Sequence, residues 1–450
     1  MKNKETNPRF LALGTLQRAE KMGKYINLAA DSDIKSTDMS DVDRALYTSL
    51  VYGVTERRIT LDYIIDSMAS HGGSHIEPRV RSILRLGLYQ LIYSDKIPPH
   101  AAVNETVALC KSKGERCFVN AILRNYQRDG ASRVKPPSED EDKIKYLSVS
   151  YSFPEWICAS LTQDYGYENA KGILAAFSSE PPAPTLRINT AKISRDDYRA
   201  KLDAMSVASA NTAYAPFGLH LCESRSINEL YGFDEGLFFV QDEASQISTM
   251  LLDAKPSQTI IDTCSCPGSK SFGAGIEMKG EGEIYSFDLH KNKLSLVESG
   301  ARRLTLDLIK TAELDARKPD ACLYGKADRV ICDVPCSGLG VMAKKPDIRY
   351  KDEKDISRLA ELGLEILTKS ANYVKDGGIL LYSTCTLRKK ENEDTVAAFL
   401  SAHPDFSLCP FTVKRNETGT PDIESDGMLT LLPHIHHTDG FFIAKLKKSC

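Results

Sequence analysis

Two cysteines 49 positions apart carry the most chemistry in this chain. Cys336 lies in Asp333-Val334-Pro335-Cys336-Ser337, and Cys385 in Ser383-Thr384-Cys385-Thr386. Each follows an apolar run that reads as a buried strand, Arg329–Cys332 before the first and Gly378–Tyr382 before the second. Two thiols at the carboxyl ends of two strands, one beside an acid, point to an open α/β active site. A thiolate is a soft nucleophile that can add to an electron-poor ring carbon. Cytosine C6 is such a carbon, and addition there makes C5 nucleophilic enough to accept a methyl group. The pair points to C5 methylation of cytosine in RNA.

A second constellation precedes it. The short apolar run Thr259-Ile260-Ile261-Asp262 leads into Thr263-Cys264-Ser265-Cys266-Pro267-Gly268-Ser269-Lys270 and then helical sequence. A tight strand-to-helix turn with glycine at its crown lets a ligand approach the backbone and sets a helix N-terminus at the site. It is neither a Walker loop nor G-x-G-x-x-G, so it does not imply phosphate binding. The next strand, Gly282–Phe287, ends in Asp288, placed to accept hydrogen bonds from ribose hydroxyls. A third, near Leu308–Ala312, leads to Asp315, where a carboxylate can meet an adenine edge. Helix N-capping is the plain reading of any one of these acids. Asp288, Asp315 and Asp333 in register with successive strand ends, together with the turn, favour an adenosine ligand without required phosphates. Such a ligand reads as S-adenosylmethionine (SAM).

The elements that must hold these residues divide the 450-residue chain into several domains. Residues 1–135 read as all-helical: Val80, Ile83, Leu84, Leu88, Leu91 and Ile92 recur at helical spacing, with Arg79, Arg81 and Arg85 mostly on the other face. Pro98-Pro99 breaks the pattern, and further helices run through Val103–Cys110 and Cys117–Leu123. Residues 136–147, with a Pro pair and an acid run, read as a linker. Residues 148–235 read as a small α+β module, and 236–450 as alternating strands and helices in a parallel, doubly wound sheet.

Composition sets the remaining bounds. Residues 1–135 carry net charge +6, with 21 Lys and Arg against 15 Asp and Glu, so the rest carries −9. A basic N-terminal region suggests a polyanionic partner, although an ordinary solvated helical surface has the same signature. No stretch approaches a membrane span, and Met1–Thr6 lacks the apolar core of a secretory signal, so a cytoplasmic protein is expected. Twelve cysteines in such a chain read as free thiols. Cys264 and Cys266 lack zinc-knuckle spacing, and His434, His436 and His437 lack a partner cysteine, so no metal is expected.

The full series of motifs, which includes Gly338, Lys345-Pro346-Asp347 and the closing Asp439-Gly440-Phe441-Phe442-Ile443-Ala444, resembles the bacterial RsmB/Sun branch of the Sun/nucleolar-protein RNA C5-cytosine methyltransferases. Asp43-Arg44-Ala45-Leu46, Ile83–Gly87, Ala101–Glu105 and Phe118–Asn125 separately resemble the NusB RNA-binding fold. The turn departs from the family's usual Cys-Ala-Ala-Pro-Gly-Gly-Lys at Ser265, Cys266 and Ser269, all still small.

The resemblance implies a NusB-like helical domain, a small RNA-recognition module and a Rossmann-like SAM-dependent methyltransferase domain. It implies that Cys385 is the nucleophile and that Cys336 assists release, which chemistry alone does not decide. Asp333 can hold the cytosine N3/N4 edge. Lys270 can favour the thiolate, contact SAM or simply be solvated. SAM would lie on Cys264, Ser265, Cys266, Pro267, Gly268, Ser269, Lys270, Asp288, Asp315 and Asp333. The target base must be flipped out or already unpaired. The implied partner is small-subunit ribosomal RNA, free or in early assembly, and a monomer without membrane or metal is expected. A tRNA C5-cytosine methyltransferase would share the catalytic core, but the NusB-like extension argues against it. A noncatalytic RNA-binding or antitermination factor would not need both cysteines. An amino-group methyltransferase would carry an Asn/Asp-Pro-Pro-aromatic motif at Asp333–Cys336.

Overall fold

The computed structural model describes residues 6–22, 26–69, 73–179, 183–223, 226–416 and 421–450. The N-terminal residues Met1–Glu5, part of the stretch tested above for a signal, lie outside them. The chain forms two compact units, one of Met1–Glu180 with Met342–Lys351, the other of Pro181–Val341 with Asp352–Cys450.

The first unit is helical, and its local sequence explains where helices start. Ser40 caps Asp41–Glu56 by accepting the Asp43 N–H, Ser112 caps Lys113–Asn125 through Glu115, and Pro78 and Pro99 open their helices at the first turn. Leu50, Val51, Leu61, Ile83, Leu84, Val103 and Val119 meet in one buried core. The arginines opposite the apolar stripe are not free cations. Arg85 is buried, with Nε and Nη2 on Asp62 at 2.7 and 2.8 Å and Nη1 on Glu20 at 2.5 Å. Arg81 pairs with Asp66 at 2.8 Å and Arg79 with Glu115 at 3.2 Å. Lys111, Lys113, Arg116, Arg124 and Arg128 remain exposed on and beside the Lys113–Asn125 helix. Residues 136–147 lie inside this unit: Glu139 accepts from Lys171 and Tyr167, each at 2.6 Å, and Asp142 caps the helix Lys143–Tyr151. Lys345-Pro346-Asp347 also belongs here, in a segment anchored by the fully buried Arg349, which donates to the Phe177 carbonyl at 2.9 Å.

The second unit contains two sheets. The smaller, in order β2-β3-β1-β4, is built from β1 (Thr185–Ile188), β2 (Ser209–Asn211), β3 (Gly218–Leu221) and β4 (Phe238–Val240). The helix Arg195–Ala204 covers it through Tyr198 and Leu202. Phe238–Val240, read from sequence as the start of the catalytic sheet, instead pairs antiparallel with β1. The buried Arg187 of β1 donates to Glu277 at 2.7 Å and to the Gly273 carbonyl at 3.3 Å, tying this module to the helix Ser269–Glu277.

The larger sheet has β5 (Thr259–Asp262), β6 (Glu283–Asp288), β7 (Ile309–Glu313), β8 (Ala327–Asp333), β9 (Val374–Thr384), β10 (Phe406–Leu408), β13 (Met428–Leu431) and β14 (Phe441–Lys448), with the β11–β12 hairpin (Phe411–Val413, Ile423–Ser425) apart. Its order is β10-β14-β9-β8-β5-β6-β7, with β13 on β14. Strands β5 to β9 are parallel, but β14 runs antiparallel to β9, so the sheet is mixed rather than wholly parallel. Both faces are covered. Ile260, Leu381 and Ile443 enter one core while their neighbours Ile261, Leu380, Tyr382, Phe442 and Ala444 enter the other, the period-two alternation of a strand buried on both sides. The chain steps from β5 outward to β6 and β7, then crosses back to β8 on the other side of β5. That reversal opens a crevice at the carboxyl ends, where α/β sheets hold ligands. Among the described residues no helix is long and apolar enough to cross a membrane.

Candidate active site

The crevice gathers the residues picked out by spacing. β5 ends in the buried Asp262, which accepts the Ser271 hydroxyl at 2.7 Å, and burial raises its carboxyl to about 7. The turn then reverses at Gly268, whose φ of +108° suits glycine, and a Cβ there would lie 2.5 Å from the Phe272 ring. The helix Ser269–Glu277 starts at the next residue. Beside the turn is an open cleft of about 210 Å³ lined by Thr263, Cys264, Asp288, Asp315, Arg317 and apolar walls including Leu289, Ala316 and Leu362. Its chemistry, two carboxylates among apolar side chains, fits a nucleoside. The buried Ser265 hydroxyl in the same turn has no protein partner among the described residues, as expected of a group left for a ligand.

Asp288 and Asp315 line this cleft, but neither carboxylate is idle. Asp288 Oδ1 accepts the His290 N–H at 2.9 Å, a bond within the turn and not a helix N-cap, since His290 itself caps Lys291–Leu304 without a side-chain bond. Burial and the neighbouring Asp288 push the Cys266 thiol up to about 12. Asp315 is held by Arg317 through Nε at 2.9 Å and Nη2 at 2.8 Å, and this keeps its carboxyl below the usual range. The cleft therefore presents an Asp315–Arg317 pair at this point, not a lone carboxylate. Cys264 borders the cleft, its thiol pushed well up by burial. Pro267 is exposed.

On the other side of β5, Asp333 ends β8 and accepts from Lys270 Nζ at 2.5 Å and from the Ser383 hydroxyl at 2.7 Å. The solvated alternative for Lys270 does not hold. Its side chain is buried, paired to Asp333, with its ammonium 5.3 Å from the centre of the Phe441 ring. The first helical turn after the glycine aims it across to the next strand.

The two thiols meet. Cys336 Sγ and Cys385 Sγ are 3.3 Å apart, and both residues are half-buried. The bond to Cys385, reinforced by burial, pushes the Cys336 thiol well above its ordinary range. The loops that carry the thiols are knit together: the Gly340 N–H donates to the Cys385 carbonyl at 2.9 Å, and the Gly440 N–H to the Gly340 carbonyl at 2.9 Å. A Cβ at Gly340 would collide with the Gly440 carbonyl, so only glycine permits this approach.

Sequence reasoning passed over Glu391 and Asn392. Glu391 is buried, accepts the Ser337 N–H at 2.8 Å and faces Arg388 at 3.6 Å. Asn392 donates to the Thr386 carbonyl at 2.9 Å and accepts the Thr384 hydroxyl at 2.6 Å. The only signal was position, a charged stretch directly after the Cys385 motif, and such stretches read as solvated surface.

Among the described residues no group of His, Cys, Asp or Glu is arranged to hold a metal ion. His436, from the C-terminal histidine cluster, instead accepts the Leu432 N–H on Nδ1 at 2.8 Å.

Residues 249–447 match the family model of the 16S rRNA methyltransferase RsmB/F, residues 6–128 that of the NusB family, and residues 153–228 the ferredoxin-like domain of RsmF/B-like methyltransferases. The probable ribosomal RNA small subunit methyltransferase B of Bacillus subtilis (strain 168) is 38% identical over 452 residues, covering 99% of each chain. Among solved structures, PH0851 superposes with a TM-score of 0.79 at 24% identity, covering 100% of both chains. NSun6 from Pyrococcus horikoshii, solved with SFG, superposes with a TM-score of 0.58 at 24% identity over 67% of this chain and 99% of its own. Both share the fold.

Proposed function

The chain belongs to the ribosomal RNA small subunit methyltransferase B family and is a small-subunit rRNA methyltransferase, and from that premise we propose that it methylates C5 of one cytosine in 16S rRNA through a covalent bond between Cys385 and C6. The observation that carries this reading is the 3.3 Å meeting of two thiols beside Asp333 and the nucleoside-sized cleft.

Cys385, as thiolate, adds to C6, and the ring electrons move to C5. Asp333, steadied by Lys270 and Ser383, accepts from the cytosine N4 amino group and orients the base. SAM, when bound, supplies an electrophilic methyl group to C5. Loss of the C5 proton then restores the C5–C6 double bond and expels Cys385. Cys336 assists this step: with its own proton given up to solvent, its thiolate takes the C5 proton as the C6–S bond to Cys385 breaks.

Ser265, Asp288 and the Asp315–Arg317 pair would hold the cofactor's sugar and base, with Cys264, Cys266, Pro267, Gly268, Ser269 and Lys270 shaping the turn around it. That the structural neighbour NSun6 is solved with SFG, an analogue of SAM, supports the choice of ligand. Residues 1–135 and 148–235 would supply RNA contacts, with the exposed Lys111, Lys113, Arg116, Arg124 and Arg128 as phosphate partners. Ribosomal RNA as substrate makes the cytoplasm its place of work.

Purified enzyme incubated with unmodified 16S rRNA and SAM should protect a single cytosine from bisulfite conversion. Methyl incorporation without bisulfite protection would contradict C5 chemistry, and protection in tRNA alone would favour the tRNA reading. The cofactor site is tested by Asp288→Ala. A carboxylate on ribose hydroxyls makes charge-assisted bonds worth about 1.5–3 kcal/mol each, so calorimetry should read weakening of SAM by at least tenfold. Unchanged affinity in the folded variant would remove Asp288 from the site.

A further inference from the structure

We propose that Glu391 is a positioning residue that fixes the release thiol Cys336 against Cys385; the proposal rests on the covalent reading above. The residues directly after each thiol are tied to each other and to one short segment. The Ser337 and Thr386 hydroxyls are 2.7 Å apart, repeating one residue later the contact between the sulfurs. Glu391 accepts the Ser337 N–H at 2.8 Å, and Asn392 donates to the Thr386 carbonyl at 2.9 Å. Tyr382 in β9 donates to the Glu391 carbonyl at 2.6 Å, which anchors the brace to the sheet. Ser337, Thr386 and Asn392 are fully buried, and Glu391 is 2% exposed.

A buried carboxylate is costly, and a packing role alone is served better by an apolar side chain. What a carboxylate adds is charge: one oxygen faces Arg388 at 3.6 Å, and the other makes a charge-assisted bond to one backbone N–H, the one that follows Cys336. Removing it takes from the Cys336 loop the bond at the Ser337 N–H, next to the thiol, while the Cys385 loop keeps its bonds to Gly340 and Asn392. Addition by Cys385 should persist and release should slow, since misplacement of a reacting group by about 1 Å costs up to 100-fold.

The test is a single-turnover reaction with labelled 16S rRNA and SAM, read by denaturing electrophoresis for adduct and by nuclease digestion for methylated product. Glu391→Ala should accumulate adduct while turnover falls about 10- to 100-fold. Glu391→Gln keeps an oxygen for the Ser337 N–H and should restore most of the release rate. Should Glu391→Ala fail to fold, Thr386→Val, which removes the hydroxyl pair at constant volume, must show the same accumulation. Adduct and product in the wild-type proportion, or slow turnover without adduct, overturns the proposal. Cys336→Ala runs alongside: if it too accumulates no adduct, the covalent reading fails, and if it alone accumulates adduct, only the role of Glu391 falls.

Discussion

Cys385→Ala is expected to abolish methyl transfer while SAM and 16S rRNA still bind. In the proposed chemistry no other group adds to C6, and without that addition C5 is too poor a nucleophile to take a methyl group. The loss should therefore exceed the roughly 10²–10⁴-fold that follows removal of an acid–base group. The structure gives the variant good prospects of folding. Cys385 is half-buried at the rim of the crevice, and the contacts that set its loop come from its backbone carbonyl and from Thr386. Calorimetry with SAM and filter binding with RNA separate lost chemistry from lost binding. Activity within tenfold of wild type would remove Cys385 from the nucleophile's place.

The features that spacing made legible share a physical origin. Acids and thiols at Asp288, Asp333 and Cys385 stand where apolar runs stop, and a run buried on both faces of a sheet is conspicuous in sequence. The glycine turn was legible because a strand that passes directly into a helix needs φ > 0 at its crown, which Gly268 supplies. Phe238–Val240 was misassigned because three apolar residues carry no periodicity that names their partner sheet. β14 was missed as antiparallel because a strand buried on both faces reads the same in either direction. Charge was the least legible signal. Arg79, Arg81 and Arg85 counted toward a basic surface, yet their carboxylate partners lie 15 to 65 residues away in sequence. The role of Lys270 stayed open between thiolate, SAM and solvent, and Glu391 was passed over, because their partners Asp333 and Ser337 sit on other strand ends. Nor does any local signal assign Lys345-Pro346-Asp347 to the helical unit, where Arg349 anchors it.

The role of Cys336 is the most exposed part of the account. If Cys385 adds to C6 and Cys336 is needed only afterwards, Cys336→Ala should form the adduct and fail to release it. Wild-type enzyme should show little adduct at steady state because release keeps pace. The decisive measurement is denaturing electrophoresis of Cys336→Ala after incubation with labelled 16S rRNA and SAM. The account predicts a retarded protein–RNA band that survives denaturation and vanishes when Cys385→Ala is added. A stable band in Cys385→Ala that depends on Cys336 would contradict it and exchange the roles of the two thiols.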